Sequence, residues 1–320
     1  MSKSNGPVIV VAVGGNALLR EHQRGTYEEQ MDNIEQCTAG LASIIADGHR
    51  LVLIHGNGPQ VGLLMQRAEN PGTAVPSVPL FVHNAETQGQ IGHQLMNSLA
   101  GRLASRLSST DAPVAAVLTS VVVASDDPAF QHPTKPVGSF YNREAIEAMA
   151  REKDFAYVED SGRGYRKVVA SPRPLAVIEA ELVRDILATG RSVIAAGGGG
   201  IPVVRTEDGR LEAVEAVIDK DLTAALLAAS IKADTLVILT GVEQVAIHFN
   251  KPGMRLLGTV GVSEIKGYAA EGHFPPGSMG PKISACIDFV ERTGGRAIIT
   301  TLDKAVNALA GLCGTAIVPD

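Results

Sequence analysis

Apolar residues along this chain fall into short unbroken runs of strand length. Longer stretches separate them, in which apolar positions recur every three or four residues. Val8–Val13 is the first run, six apolar residues without a polar break, as expected of a strand buried on both faces of a parallel sheet. Residues 50–54, 114–120, 192–196, 235–239, 245–249, 296–300 and 316–318 read as further strands. Helical periodicity fills the gaps at 26–47, 83–107, 175–188, 222–231, 262–271, 283–292 and 302–310. The first of these opens on Thr26-Tyr-Glu-Glu29, a capping box, and closes at Gly48. Gly89, Gly92 and Gly101 in the second suit close helix packing. Strand and helix alternate throughout with no internal repeat, which predicts a mainly parallel α/β sandwich.

Three predicted strands end in glycine: Gly14-Gly15-Asn16, His55-Gly-Asn-Gly-Pro-Gln60 and Gly197–Gly200. Such loops line one edge of the sheet, at the carboxyl ends of its strands, where folds of this class bind ligands. The stretch from 193 to 221 is the most instructive. A strand breaks into four glycines, turns back at Asp208-Gly209, and enters a helix through Asp219-Lys220-Asp221. Bare backbone and a helix N-terminus admit an anion, and the lysine adds a cation. The residues alone read equally as a phosphate cradle or as a tight turn before an acidic first helical turn. Lys135, between Thr134 and Pro136, and Lys282, after Gly280-Pro281, likewise sit at a loop or helix start. The three lysines together suggest a cluster around a phosphoryl group. His55 at a strand end reads as a hydrogen-bonded structural residue.

Residues 125–174 break the rhythm. They hold a Pro-flanked lysine, a helix over 142–153 and a basic run over 162–167, and they read as a small subdomain that moves over the acceptor or, almost equally, as a static insertion serving a dimer interface. Arg163 and Arg166 read as an anion clamp or, equally, as a solvated basic patch.

Bulk composition narrows the classes. Net charge is -6, from 28 basic and 34 acidic residues, with no basic tract, no Trp and 4% aromatics, which argues against nucleic acid as a partner. Cys37, Cys286 and Cys313 are odd in number and widely spaced, which predicts neither a disulfide framework nor a metal knuckle and points to a reducing compartment. No signal peptide and no apolar run of membrane length is found, so a cytoplasmic protein without a membrane partner is expected. A dinucleotide fingerprint fails because Val61 stands at the third glycine, and a Walker A loop fails because Pro281 separates Gly280 from Lys282.

Specific strings then carry a resemblance. Ala12-Val-Gly-Gly-Asn-Ala-Leu18, His55-Gly-Asn-Gly-Pro-Gln-Val-Gly62, Asp127-Pro-Ala-Phe130, Pro133-Thr-Lys-Pro136, Gly162-Arg-Gly-Tyr165, Gly197-Gly-Gly-Gly-Ile-Pro-Val203, Glu215-Ala-Val-Ile-Asp-Lys-Asp221 and Gly277-Ser-Met-Gly-Pro-Lys282 resemble the carbamate kinase branch of the amino acid kinase family, in order, over nearly the whole chain. The resemblance implies a three-layer αβα sandwich around an open eight-stranded sheet, a protruding subdomain and a homodimer. One domain, 1–320, would divide into an acceptor half at about 1–190 and a nucleotide half at about 191–320. It implies reversible phosphoryl transfer between ATP and carbamate, with Mg²⁺ carried by the nucleotide and no protein metal ligand assigned. By motif, Gly14, Gly15, Asn16, Gly56, Asn57, Gly198 and Gly199 would surround the acceptor and phosphoryl group. Lys135, Lys220 and Lys282 would carry positive charge, with Asp221 positioning lysines. Asp219, Lys220, Thr240, Met279, Gly280 and Lys282 would meet the nucleotide. Two departures stand out. Thr240-Gly241-Val242-Glu243-Gln244 replaces the family's usual Thr-Asp-Val-Asp-Gly and puts nucleotide affinity or specificity in question, and His93-Gln94 on the second helix is unusual. A kinase of another small carboxylate and a non-catalytic ligand-binding relative are the alternatives.

Overall fold

The computed structural model describes residues 6–20, 23–68, 76–104, 113–149, 156–159 and 164–320. Among these, eight strands form one sheet, ordered Thr259–Gly261, Thr315–Val318, Arg296–Thr300, Thr235–Leu239, Val8–Val13, Arg50–His55, Ser192–Ile194 and Val114–Ala116. Every neighbouring pair is parallel except Arg296–Thr300 with Thr315–Val318. Val8–Val13 lies inside the sheet, and its unbroken apolar run has a direct cause. Val8, Val10 and Ala12 enter the core on one face, while Ile9, Val11 and Val13 enter the core on the other.

Helices cover both faces. Tyr27–Ala46 and Leu80–Ala104 pack on one, and Lys220–Ser230 and Met279–Thr293 on the other. The capping box forms as expected: Glu29 N donates to Thr26 Oγ1 at 3.3 Å, and Thr26 N donates to Glu29 Oε2 at 3.1 Å.

Three sequence expectations need correction. Residues 114–120 are not one strand. The segment leaves the main sheet after Ala116 and enters a second sheet as Ser120–Val123, with Thr119 pinned between by Gln88. Residues 175–188 are not one helix. Pro174–Val177 is a strand at the edge of that second sheet, where a proline costs no ladder bond, and the helix begins at Ala180. The expected strand over 245–249 shrinks to Ala246–Ile247, because His248 and Asn250 both adopt left-handed backbone.

The second sheet runs Leu211–Ala213, Ile201–Arg205, Ser120–Val123, Pro174–Val177. A third sheet lies within 125–174: Lys135–Tyr141 pairs antiparallel with Tyr165–Val169, which pairs antiparallel with Tyr157–Glu159. Helix Arg143–Met149 belongs to the same segment. The rest of the helix expected to 153, residues 105–107 of the long helix, and Gly162 and Arg163 lie outside the described residues.

Candidate active site

Val8–Val13, Arg50–His55 and Ser192–Ile194 are parallel neighbours, so the three glycine loops emerge side by side from one edge. The first two touch through backbone: a Cβ on Gly56 would lie 2.5 Å from Gly15 N. Gly198 has φ +67°, and a Cβ there would lie 2.2 Å from Asn57 Nδ2 and 2.4 Å from Asn84 Oδ1. Only glycine meets both demands.

Buried amides and hydroxyls clamp these loops. Asn57 Nδ2 donates to Asn84 Oδ1 at 2.6 Å and to Thr87 Oγ1 at 2.8 Å, and Asn84 Nδ2 donates to Gly200 O at 2.6 Å. Gln88 Nε2 donates to Gly197 O at 3.0 Å and to Thr119 O at 3.1 Å. Thr119 Oγ1 accepts from Ala196 N, and Thr223 Oγ1 donates to Gly199 O. A satisfied buried network of this kind holds a loop in one shape. Sequence reading missed Asn84, Thr87, Gln88, Thr119 and Thr223. The available signal was helical spacing of Asn84, Thr87 and Gln88, polar residues on a stripe that continues as Ile91 and Leu95.

His55 supports the clamp from beneath. It is 1% exposed, and a Cβ on Gly197 would lie 2.5 Å from its Nε2. Burial pushes its pKa down to about 4, against a smaller opposing effect of the Gly56 carbonyl. The ring is therefore neutral near pH 7, with Nδ1–H donating to Gly56 O at 3.1 Å.

The charged part forms where two helices start. Asp219 caps Lys220–Ser230, its Oδ1 accepting from Asp221 N at 3.0 Å. Lys220 Nζ donates to Asp221 Oδ1 at 2.5 Å, and Lys282 Nζ, from the first turn of Met279–Thr293, donates to Asp221 Oδ2 at 2.8 Å. Lys135 Nζ reaches Asp219 Oδ2 at 3.3 Å from the subdomain strand. Asp221 is 3% exposed. Burial alone would raise its pKa, but Lys220 and Lys282 outweigh burial and hold it below the usual carboxylate range. Three lysines against two carboxylates, at a helix N-terminus, leave the cluster net positive and ready for an anion.

One cleft of about 1250 Å³ joins this cluster to the glycine loops. Gly15, Asn16, Gly56, Asn57 and Gly198 line it, together with Lys135, Asp219, Lys220, Asp221, Thr240, Met279 and Lys282. Gly14, Gly199 and Gly280 are not among its lining residues. Gly199 offers its carbonyl to Thr223, and Gly280 N donates to Pro275 O at 2.9 Å, closing the turn before the helix. Arg166 lines the cleft with Nε donating to Gly138 O and its guanidinium over the Phe140 ring. Gly241 lines the cleft, with no atom within 4 Å of a Cβ placed there, so an aspartate side chain has room at this position. His93 and Gln94 do not line the cleft; His93 meets Asn97, and nothing in the structure explains the unpartnered Gln94 Oε1.

Comparison with known proteins agrees in extent and in kind. The sequence profile of the amino acid kinase family matches residues 7–301. The carbamate kinase of Thermococcus kodakarensis is 49% identical, covering 97% of this chain and 98% of that protein. That of Pyrococcus furiosus is 46% identical, covering 98% and 100%. The structure of Giardia lamblia carbamate kinase bound to AMP-PNP superposes with a TM-score of 0.90 at 39% identity, covering 98% of this chain and 99% of that one.

Proposed function

The chain belongs to the amino acid kinase family, and from that premise we propose that it is a carbamate kinase, transferring a phosphoryl group reversibly between ATP and carbamate. The observation that carries the reading is the placement of Lys220 and Lys282 on Asp221, and of Lys135 on Asp219, in the same cleft as the Gly56-Asn57 loop.

The chemistry suits that placement. In the ATP-forming direction the bond between phosphorus and the carbamate oxygen breaks, and a bond from phosphorus to the terminal phosphate oxygen of ADP forms. Both the attacking oxygen and the departing carbamate are anionic, so no proton needs to move. The barrier lies in bringing anions together, and catalysis reduces to positioning and charge stabilisation. Lys135, Lys220 and Lys282 supply the charge. The backbone around Gly15, Gly56 and Gly198 lets the phosphoryl group approach N–H groups. Asp221 stays ionised and holds two lysines at a fixed separation.

Both Asp221 oxygens and both Asp219 oxygens already accept from N–H donors. That donor set suits a Mg²⁺ ion held by the nucleotide's own phosphate oxygens, where it would neutralise their charge. The setting that goes with this reading is a cytoplasmic homodimer working toward ATP synthesis in a catabolic pathway.

Acceptor choice is the test. With MgADP, the purified protein should form ATP from carbamoyl phosphate at least about tenfold faster than from acetyl phosphate, a difference of about 1.4 kcal/mol in transition-state binding. Equal or faster use of acetyl phosphate would point to a kinase of another carboxylate.

A further inference from the structure

Helix Gly58–Ala68 follows directly on Gly56 and Asn57, with Val61 N donating to Asn57 O at 2.9 Å. Its second turn meets the strand Lys135–Tyr141, and the meeting point is bare backbone. A Cβ placed on Gly62 would lie 3.6 Å from Gly138 O and 3.7 Å from Gly138 C and Cα. Gly138 has φ +74° and sits where the pairing with Tyr165–Val169 slips, between Val137 and Tyr141. A Cβ on Gly138 would meet Met65 Cε at 3.3 Å. Around this contact Val61, Met65, Leu80, Val137 and Val169 form an apolar cluster separate from the two main cores. Lys135 lies three residues back along the same strand, a reach of about 10 Å. One helix therefore carries the acceptor loop at its N-terminus and sets the height of the strand that delivers Lys135.

We propose that Gly62 is a positioning residue for phosphoryl transfer: the space between its Cα and the Gly138 backbone holds at most a methyl group, and keeping that position small fixes where Lys135 Nζ arrives relative to the Gly56-Asn57 loop. The proposal rests on the phosphoryl-transfer reading of the cleft. An alanine at 62 would make an ordinary van der Waals contact with Gly138. A valine would push the strand outward by its added methyl groups, and a displacement of about 1 Å at a reacting centre costs about a hundredfold in rate.

A double-mutant cycle separates positioning from packing. ATP formation from MgADP and carbamoyl phosphate is measured for the wild type, Gly62→Ala, Gly62→Val, Lys135→Ala and Gly62→Val/Lys135→Ala. Gly62→Ala should stay within about threefold of the wild type. Gly62→Val should lower kcat by about tenfold or more, with KM for ADP within about twofold. In the Lys135→Ala background, Gly62→Val should cost less than about threefold, because the group it displaces is gone. The proposal is overturned if Gly62→Val costs the same factor with and without Lys135, acts on KM for ADP instead, or leaves kcat unchanged. A wild-type rate in Lys135→Ala overturns it too, by removing the group to be positioned. A wild type inactive with carbamoyl phosphate removes the functional reading and the proposal together. Should Gly62→Val fail to fold, Met65→Ala, which takes away the apolar contact under Gly138, enters the same cycle with the same expectations.

Discussion

Asp221 and His55 are buried to nearly the same depth, yet near pH 7 one is ionised and the other neutral. Burial opposes ionisation in both. Asp221 stays ionised because two ammonium groups face it, whereas His55, whose partner is the Gly56 carbonyl, stays neutral. A pH dependence follows for His55. Its folded pKa, about 4, lies below the usual 6.5. The folded state therefore refuses a proton that the unfolded chain accepts, and stability present above 6.5 is lost as pH falls toward 4. The loss across that window is about 3 kcal/mol. Asp221 acts lower, its contribution being lost only as pH falls beneath the usual carboxylate value of 3.8. Thermal melts from pH 7.5 to about 4.5 should show a declining Tm for the wild type and a shallower decline for His55→Gln, relative to each protein's own value at neutral pH. Parallel declines would mean that the ring is not buried neutral.

The glycine loop over 197–200 shows what an element adds to its residues. Ala196, Gly198, Gly199 and Gly200 all have positive φ, and polar side chains from Leu80–Ala104 and Lys220–Ser230 hold the loop's carbonyls. Gly198→Ala should cost about 1–3 kcal/mol in backbone strain alone. It should also break the contact between Asn57 and Asn84. A lower Tm together with loss of turnover is expected, and unchanged turnover would mean that the acceptor does not use this loop. The loop was legible in the sequence because glycines mark positive φ and close approach. So were the lysines, because Gly and Pro neighbours set them apart from lysines on exposed helix faces. The clamp was not. Asn84 finds its partner at Gly200, Gln88 at Gly197 and Thr119, and Thr87 at Asn57, all on other elements and 30 or more residues away, and local periodicity carries no such pairing. The second sheet, apart from the hairpin turn at Asp208-Gly209, was hidden for the same reason. Its strands are three to five residues long and come from 120, 174, 201 and 211 in the chain, so the pattern of each is too short to separate from a loop or a helix.

At the scale of the molecule, a sheet with a continuous apolar centre gathers strand ends along one edge, and a cleft runs along that edge from the glycine loops to the paired lysines. The long parallel strands announced this architecture, since a strand buried on both faces requires helices above and below it. In the proposed function, the lysines held by Asp219 and Asp221 stabilise a phosphoryl group passing between two anions. The measurement that bears on it most directly is ATP formation from MgADP and carbamoyl phosphate by wild type and Lys220→Ala side by side, with ADP binding followed by calorimetry. Loss of one charge-stabilising donor should lower turnover about 10²–10³-fold while ADP affinity changes by less than about tenfold. Turnover in Lys220→Ala equal to that of the wild type would rule out charge stabilisation by Lys220.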